Sequence, residues 1–260
     1  LRGNLRPSSF TPRLRRDPFE MAVLEGRITR NPVKLVTPPE YTPNERTTWT
    51  ADQVRAFLAH VAGDRLHAAW RLSLYGLRRG EVLGLRWSDV DLETQRLSVK
   101  QARVLVDYEV LIEQPKSRHG KRNLPLDDEL VAALRELRKR QIRERIQAGT
   151  AYRADLDQVE WYVPGDEYVV TDELGMPVHP EWYSGEFGRV LKRAGQPRIR
   201  LHDSRHTTLS LMEKAGVPIS VISKWAGHHD AAFTMRTYVH ASDDDLEQGT
   251  RKLADLYRLA

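Results

Sequence analysis

Four short runs in this 260-residue sequence hold side chains of the kind that handle phosphate esters. The first, Tyr75-Gly76-Leu77-Arg78-Arg79-Gly80-Glu81-Val82-Leu83, sets an arginine pair just past a glycine. The second, Pro115-Lys116-Ser117-Arg118-His119-Gly120-Lys121-Arg122-Asn123-Leu124-Pro125-Leu126, is a basic turn between two strand-like runs, where a lysine can reach a DNA groove or a phosphate. The third, His202-Asp203-Ser204-Arg205-His206, opens a helix. His202 and Arg205 fall one turn apart and can face one phosphate together, because a guanidinium offers a planar fork of donors and a helix start adds its dipole and free N–H groups. The fourth joins Trp225-Ala226-Gly227-His228-His229 to Thr234-Met235-Arg236-Thr237-Tyr238-Val239-His240. Tyr238 can be a covalent nucleophile, provided that cations or a base assist a phenol of ordinary pKa ~10.

Each run also has an ordinary reading. Gly76 fits a helix C-cap followed by solvated arginines, the basic turn fits a soluble hairpin tip, and Tyr238 fits a core or interface side chain. His202 and His206, at i and i+4, share a helical face and raise the alternative of a zinc hydrolase. Against zinc, Asp203 stands where the zinc-protease motif has Glu, and a third ligand is needed.

The elements that must position these residues follow from periodicity and punctuation. Thr50 is a plausible N-cap with Gln53 three residues later, and Val54, Phe57, Leu58 and Val61 at helical spacing predict a helix over 51–62. A second helix over 65–75 ends at Gly76, and a short third one carries Arg79 to Leu85. Residues 96–106 and 109–113, β-branched around an Asp107-Tyr108 turn, predict strands, with a third over 121–126, together one small antiparallel sheet. A long amphipathic helix over 127–147 places Leu130, Leu134 and Leu137 on one stripe. Residues 148–180 read as loop with one strand at 168–171, and the remainder as four or five short helices. The expected class is mostly α with a small antiparallel sheet (α+β).

Before this lies a different texture. Residues 1–18 are rich in Arg, Pro and Ser and read as an unstructured or partner-dependent arm. Residues 19–28 predict one helical piece, and Pro32, Pro38, Pro39 and Pro43 mark residues 33–47 as an interdomain linker.

Composition narrows the chemistry. There are no cysteines, which removes a disulfide scaffold, a thiolate nucleophile and cysteine-ligated metals, and fits a reducing, intracellular setting. No apolar run approaches a membrane span. The formal charge of +5 is unevenly distributed: residues 1–47 carry nine basic and five acidic side chains. Within the rest, Arg189, Lys192, Arg193, Arg198, Arg200 and Arg205 cluster against Asp203 alone, while residues 243–258 run acidic. Such clusters point to a polyanionic partner.

In this order and at these separations the four runs resemble one family, the tyrosine recombinases or phage-type integrases. Gly76-Leu77-Arg78-Arg79-Gly80-Glu81 is similar to its first arginine box, with Tyr75 in the usual Thr position. Lys116 precedes Leu124-Pro125-Leu126 as the family's hairpin lysine precedes its Leu-Pro-Leu-like strand. His202, Arg205 and His206 meet the His-x-x-Arg-His box, with Ser204 where Leu is usual. Ala226-Gly227-His228 matches the Leu-Gly-His box, and Thr234, Tyr238 and His240 match the nucleophile box. The likeness covers about residues 48–242.

The resemblance implies that fold and a metal-free phosphodiester exchange. Such chemistry needs a nucleophile, an acid for the leaving oxygen and cations on the nonbridging oxygens. By likeness, Tyr238 would form a 3'-phosphotyrosyl link, Arg78 and Arg205 would clamp the phosphate, and Lys116 would protonate the leaving 5'-oxygen. His202 would assist proton transfer with the tyrosine and His228 would hydrogen-bond the phosphate, with Glu81, His206 and His240 in support. Lys121, Arg122, Lys192, Arg193, Arg198 and Arg200 would touch DNA phosphates without reading sequence. No ATP, metal or other cofactor is chemically needed, and no Gly-x-x-x-x-Gly-Lys-Ser/Thr loop occurs.

The implied domains are a basic arm over 1–47, left from a core-binding domain and its linker, a catalytic domain over 48–242 and an amphipathic tail over 243–260. The Leu1 start fits a piece of a longer protein. Implied partners are double-stranded DNA attachment sites, a tetramer formed on DNA by exchange of the tail, and accessory DNA-bending or directionality factors. The implied setting is the cytoplasm of a bacterium, at the nucleoid, with phage or prophage encoding. A type IB topoisomerase and a catalytically idle DNA-binding relative remain the alternatives.

Overall fold

In a computed structural model of the chain, residues 18–35, 47–114, 120–153 and 167–227 are described. The chain divides into two compact units, residues 1–45 and 46–260. In the first, helix α1 (Pro18–Leu24) is followed by a 3₁₀ turn at Pro32–Leu35. The helix stops short of the predicted 28 because Gly26 takes φ +69°, outside the helical region. Lys34 pairs with Glu20 within this unit.

The larger unit begins where the Thr50 capping box predicts. Gln53 N–H donates to Thr50 Oγ1 at 3.3 Å, Thr50 N–H donates back to Gln53 Oε1 at 2.9 Å, and α2 (Ala51–His60) follows. Helix α3 (His67–Leu74) is buried on nearly every side, which places it at the centre, and α4 (Arg79–Gly84) follows after the turn at Gly76. Helix α5 (Asp128–Ala148) is capped by Asp127 and buries Leu130, Leu134, Leu137 and Gln141, so the predicted stripe is the face that packs. Helices α6 (Pro180–Arg193), α7 (Leu201–Lys214) and α8 (Ile219–Ala226) complete the described helices. Their core centres on Trp70, whose ring stacks on Tyr183 at 4.6 Å and meets Phe187 at 5.8 Å.

The strands differ from the single sheet predicted. β1 (Val90–Asp91), β2 (Arg96–Val99) and β5 (Arg122–Pro125) form one antiparallel sheet in the order β1-β2-β5, while β3 (Ala102–Val106) and β4 (Glu109–Glu113) form a separate hairpin. The predicted 96–106 strand breaks at residues 100 and 101. Lys100 is drawn to the buried Asp89 at 2.8 Å and Gln101 donates to Gly84 O at 2.9 Å, so the chain turns out of β2 to meet α4. The hairpin then packs directly on α4. A Cβ on Gly80 would lie 2.8 Å from Arg103 O, a separation that side chains do not tolerate. The strand expected at 168–171 is instead two isolated bridges, Arg86 to Tyr168 and Thr171 to Pro177. Gln141 of α5 takes one backbone carbonyl there, donating to Val169 O and also to Thr171 Oγ1, each at 3.0 Å. Among the described residues no helix is long and apolar enough to cross a membrane.

Candidate active site

Two helices of this unit begin with the same device. At α4 the Arg78 N–H donates to Glu81 Oε2 and its guanidinium donates to Glu81 Oε1, both at 2.8 Å. At α7 the Arg200 N–H donates to Asp203 Oδ2 at 3.0 Å, and its guanidinium takes both carboxylate oxygens at 2.9 and 3.0 Å. In each case a carboxylate in the first turn satisfies an otherwise orphaned N–H and favours the positive end of the helix dipole. The arginine beside it is thereby aimed. Arg78 and Arg200, with Arg79, Arg198 and His202, line one groove between the starts of α4 and α7 and the flank of α6.

A third helix end completes the arrangement. The last carbonyls of α8 and its C-cap each accept from an arginine of another element. Trp225 O accepts from Arg122 Nε at 2.7 Å, Ala226 O accepts from the Arg205 guanidinium, and Gly227 O accepts from Arg78 Nη2 at 3.4 Å. Orphaned carbonyls at the negative end of a helix favour cations, and here three are supplied. Gly227 itself sits at φ +62°, the left-handed C-cap that lets the chain leave toward His228.

The structure therefore brings Arg78, Glu81, His202, Arg205 and His206 together, with Arg198 and Arg200 on the same groove. Lys116, His228, Tyr238 and His240 lie outside the described residues, as does the 243–260 tail. Arg205 is only 3% exposed and reaches across to Gly76 O, which fixes its guanidinium beside the Arg78 turn. Lys192 and Arg193 are exposed farther along α6, but the basic run is partly neutralised: Arg189 and Arg193 both pair with Glu186, at 2.6 and 2.9 Å.

One expectation is corrected. Arg122 is not an exposed phosphate contact: its side chain is 4% exposed and makes a two-pronged pair with Glu81, both arms 2.9 Å. Its neighbour Lys121 is exposed, near Gln114 at 3.5 Å. The sequence did carry a signal for this, because strand alternation puts residue 122 on the same face as the buried Leu124.

The electrostatics follow from that packing. Burial alone would raise the Glu81 carboxyl, but the Arg122 hydrogen bonds and the charges of Arg122, Arg78 and Arg205 overcome it and hold its pKa at about 2. His202 is exposed along one edge, and its ring meets His206 edge-on at 4.9 Å. Partial desolvation, then Arg205, with Arg78 and Arg200 adding to it against Asp203, lower the His202 pKa below its ordinary value. A neutral imidazole at the edge of a cationic groove is suited to accept a proton. Among the described residues no group of three His, Asp or Glu side chains stands ready to hold a metal.

The two departures from the family pattern are structural. Tyr75 donates from its hydroxyl to Pro125 O at 2.9 Å, while its own carbonyl accepts from Trp225 Nε1 at 2.8 Å. Burial, then Asp127, push its phenol up to about 12, against a role as nucleophile. Ser204 donates to Leu201 O at 2.6 Å and lies 3.2 Å from Ser73 O, holding α7 against α3.

The phage integrase family model matches residues 48–245. A tyrosine recombinase XerC-like protein of Caldanaerobacter subterraneus subsp. tengcongensis is 31% identical, the match covering 92% of this chain and 63% of that protein. The ICEBs1 integrase of Bacillus subtilis is 24% identical, covering 92% of this chain and 62% of its own length. The chain thus spans about three fifths of the length of the curated relatives it matches. Among solved structures, the Tn1549 transposon integrase in complex with transposon right end DNA shares the fold with a TM-score of 0.73 at 24% identity, over 91% of this chain and 75% of that one. A lambda integrase dimer bound to a COC' core site gives a TM-score of 0.56 at 19% identity, over 85% and 55%. With a family match over most of its length, and with arginine-led α4 and α7 framing one groove, the chain belongs to the phage integrase family.

Proposed function

We propose that this chain is the catalytic part of a site-specific DNA recombinase that integrates or excises mobile-element DNA. The observation that carries the reading is that Arg78 and His202 line one cationic groove while Arg78 and the buried Arg205 meet neighbouring carbonyls at the end of α8, in a chain whose Tyr238 stands in a run that resembles the family's nucleophile box. The Tyr238 oxygen attacks the scissile phosphorus, the bond from phosphorus to the 5'-oxygen breaks, and Lys116 gives the leaving oxygen its proton. The phenol proton passes toward His202, whose lowered pKa keeps it able to accept. Arg78 and Arg205 hold the nonbridging oxygens, where negative charge builds, and His228 hydrogen-bonds the same phosphate. Because one phosphoester replaces another, rejoining needs neither ATP nor a metal.

The partner is double-stranded DNA at attachment sites, met through Lys121, Lys192, Arg193, Arg198 and Arg200. Four protomers assemble on paired sites by exchanging the 243–260 tail, with accessory bending or directionality factors, at the nucleoid of a bacterium carrying the phage or element. Residues 1–47 act as the arm and linker of a core-binding domain, and 48–242 as the catalytic domain. The test is to incubate the chain with a pool of nicked duplexes with randomised cores and map the DNA-linked peptide. Linkage at Tyr238 is expected; linkage elsewhere overturns the assignment, and supercoil relaxation without paired sites points to a topoisomerase instead.

A further inference from the structure

The residue that the phosphate-contact expectation misplaced makes contacts that no DNA role explains. Arg122 spends its guanidinium on two distant segments and on its own turn: both oxygens of Glu81 on α4, the carbonyl of Trp225 at the end of α8, and the carbonyl of Gly120, two residues earlier, at 3.3 Å. The two distant segments hold candidate catalytic side chains: Glu81 holds the backbone and the guanidinium of Arg78, and the carbonyls that follow Trp225 accept from Arg205 and Arg78.

Stability alone does not call for a cation here. The inward positions that continue this face, 124 and 126, are leucines, and a buried ion pair is commonly no more stabilising than apolar side chains of similar volume. What an apolar residue could not do is set a distance and an angle between two helix ends at once. A lysine could not either, since one point-like ammonium cannot meet two carboxylate oxygens and a carbonyl on the far side.

We propose that Arg122 is a positioning residue that ties the start of α4 to the end of α8 as one frame, so that Arg78, which meets both Glu81 and Gly227 O, and Arg205, which meets Ala226 O, are held in mutual register before DNA arrives. This rests on the recombinase reading for its consequence in catalysis, though the frame itself is a property of the folded chain. Misplacement of catalytic groups by as little as ~1 Å can cost about 100-fold in rate, which makes such a frame consequential.

The test compares the full chain, Arg122→Lys, and the double variant Glu81→Gln with Arg122→Gln, which leaves no unpaired charge buried. Amide hydrogen exchange is followed first, without DNA. In both variants, peptides covering 76–84 and 222–227 are expected to exchange at least ~10-fold faster together, while α5 keeps its protection. Acceleration confined to one of the two, or shared equally by α5, overturns the proposal. Covalent adduct formation on the nicked, core-randomised duplex pool is measured next. For Arg122→Lys the rate at saturating DNA is expected to fall at least ~10-fold with the half-saturating concentration within about threefold; a loss through binding alone also overturns it. Failure of the wild-type chain to form any adduct would strike the recombinase reading and leave the exchange result to decide on the frame.

Discussion

The guanidinium of Arg205, buried in the first turns of α7, donates to the carbonyl of Gly76, the residue that turns the chain out of α3 toward Arg78. One hydrogen bond thus joins the two arginine boxes, which stand more than a hundred residues apart in sequence. Gly76 can make that turn because it sits at φ +92°, a left-handed conformation that L side chains rarely adopt, with Trp225 Nε1 3.4 Å from where a Cβ would stand. Gly76→Ala is therefore expected to lower unfolding stability by about 1–3 kcal/mol and to weaken DNA cleavage more than Gly63→Ala, where nothing lies within 4 Å. Urea unfolding of the two variants checks this, and equal effects would contradict it.

Glu81 sets an acid limit on stability. Its carboxyl is held at about 2 against an ordinary 4.5, so its contribution is complete above ~4.5 and disappears as pH falls through about 2. The full amount is on the order of 3 kcal/mol. Urea unfolding from pH 7 down to pH 2 should show this loss in the wild type and a flatter profile in Glu81→Gln. The variant starts lower at neutral pH, because Arg122 is left buried without its partner. Parallel profiles would show that the pair does not titrate as described.

His202 should titrate below the ordinary imidazole value of 6.5, for reasons that can be removed one at a time. Proton NMR of its ring is expected to give a depressed midpoint. Arg78→Gln, which deletes one of the cations lowering it, should move that midpoint upward. A midpoint at or above 6.5 in the wild type would contradict the electrostatics of the groove.

The basic run separates into paired and unpaired cations. Arg193 shares Glu186 with Arg189, whereas Lys192 is exposed on the same helix without an ion-pair partner among the described residues. Lys192→Ala should weaken binding about equally on all DNA sequences and reduce the salt slope by about one unit. Arg193→Ala should do less, since that side chain is already engaged. Titrations at several salt concentrations on two unrelated duplexes decide it, and a loss confined to one sequence would contradict phosphate contact.

Much of this was legible in the residues. The Thr50 capping box, the leucine stripe of α5 and the turn at Gly76 are local features, and local features state their geometry in their own sequence. The sheet was harder, because the break at residues 100 and 101 is made by partners far away, Asp89 and the Gly84 carbonyl, that no window of residues 96–106 contains. Type and spacing singled out Arg78, His202 and Arg205 as candidates, and the fold brings these three near one another. The role of Arg122 was not, since a basic turn suggests solvent while strand alternation puts that one side chain inward, toward a glutamate forty-one positions earlier. The three arginines on consecutive carbonyls of α8 had no sequence signal at all: each comes from a different element.

The proposed role of Tyr238 as nucleophile beside Arg78 and Arg205 is checked by incubating the wild-type chain and Tyr238→Phe with the same nicked duplex pool and resolving DNA-linked protein on a denaturing gel. A covalent adduct with the wild type and none with Tyr238→Phe is expected, and an adduct that persists in Tyr238→Phe would overturn that role.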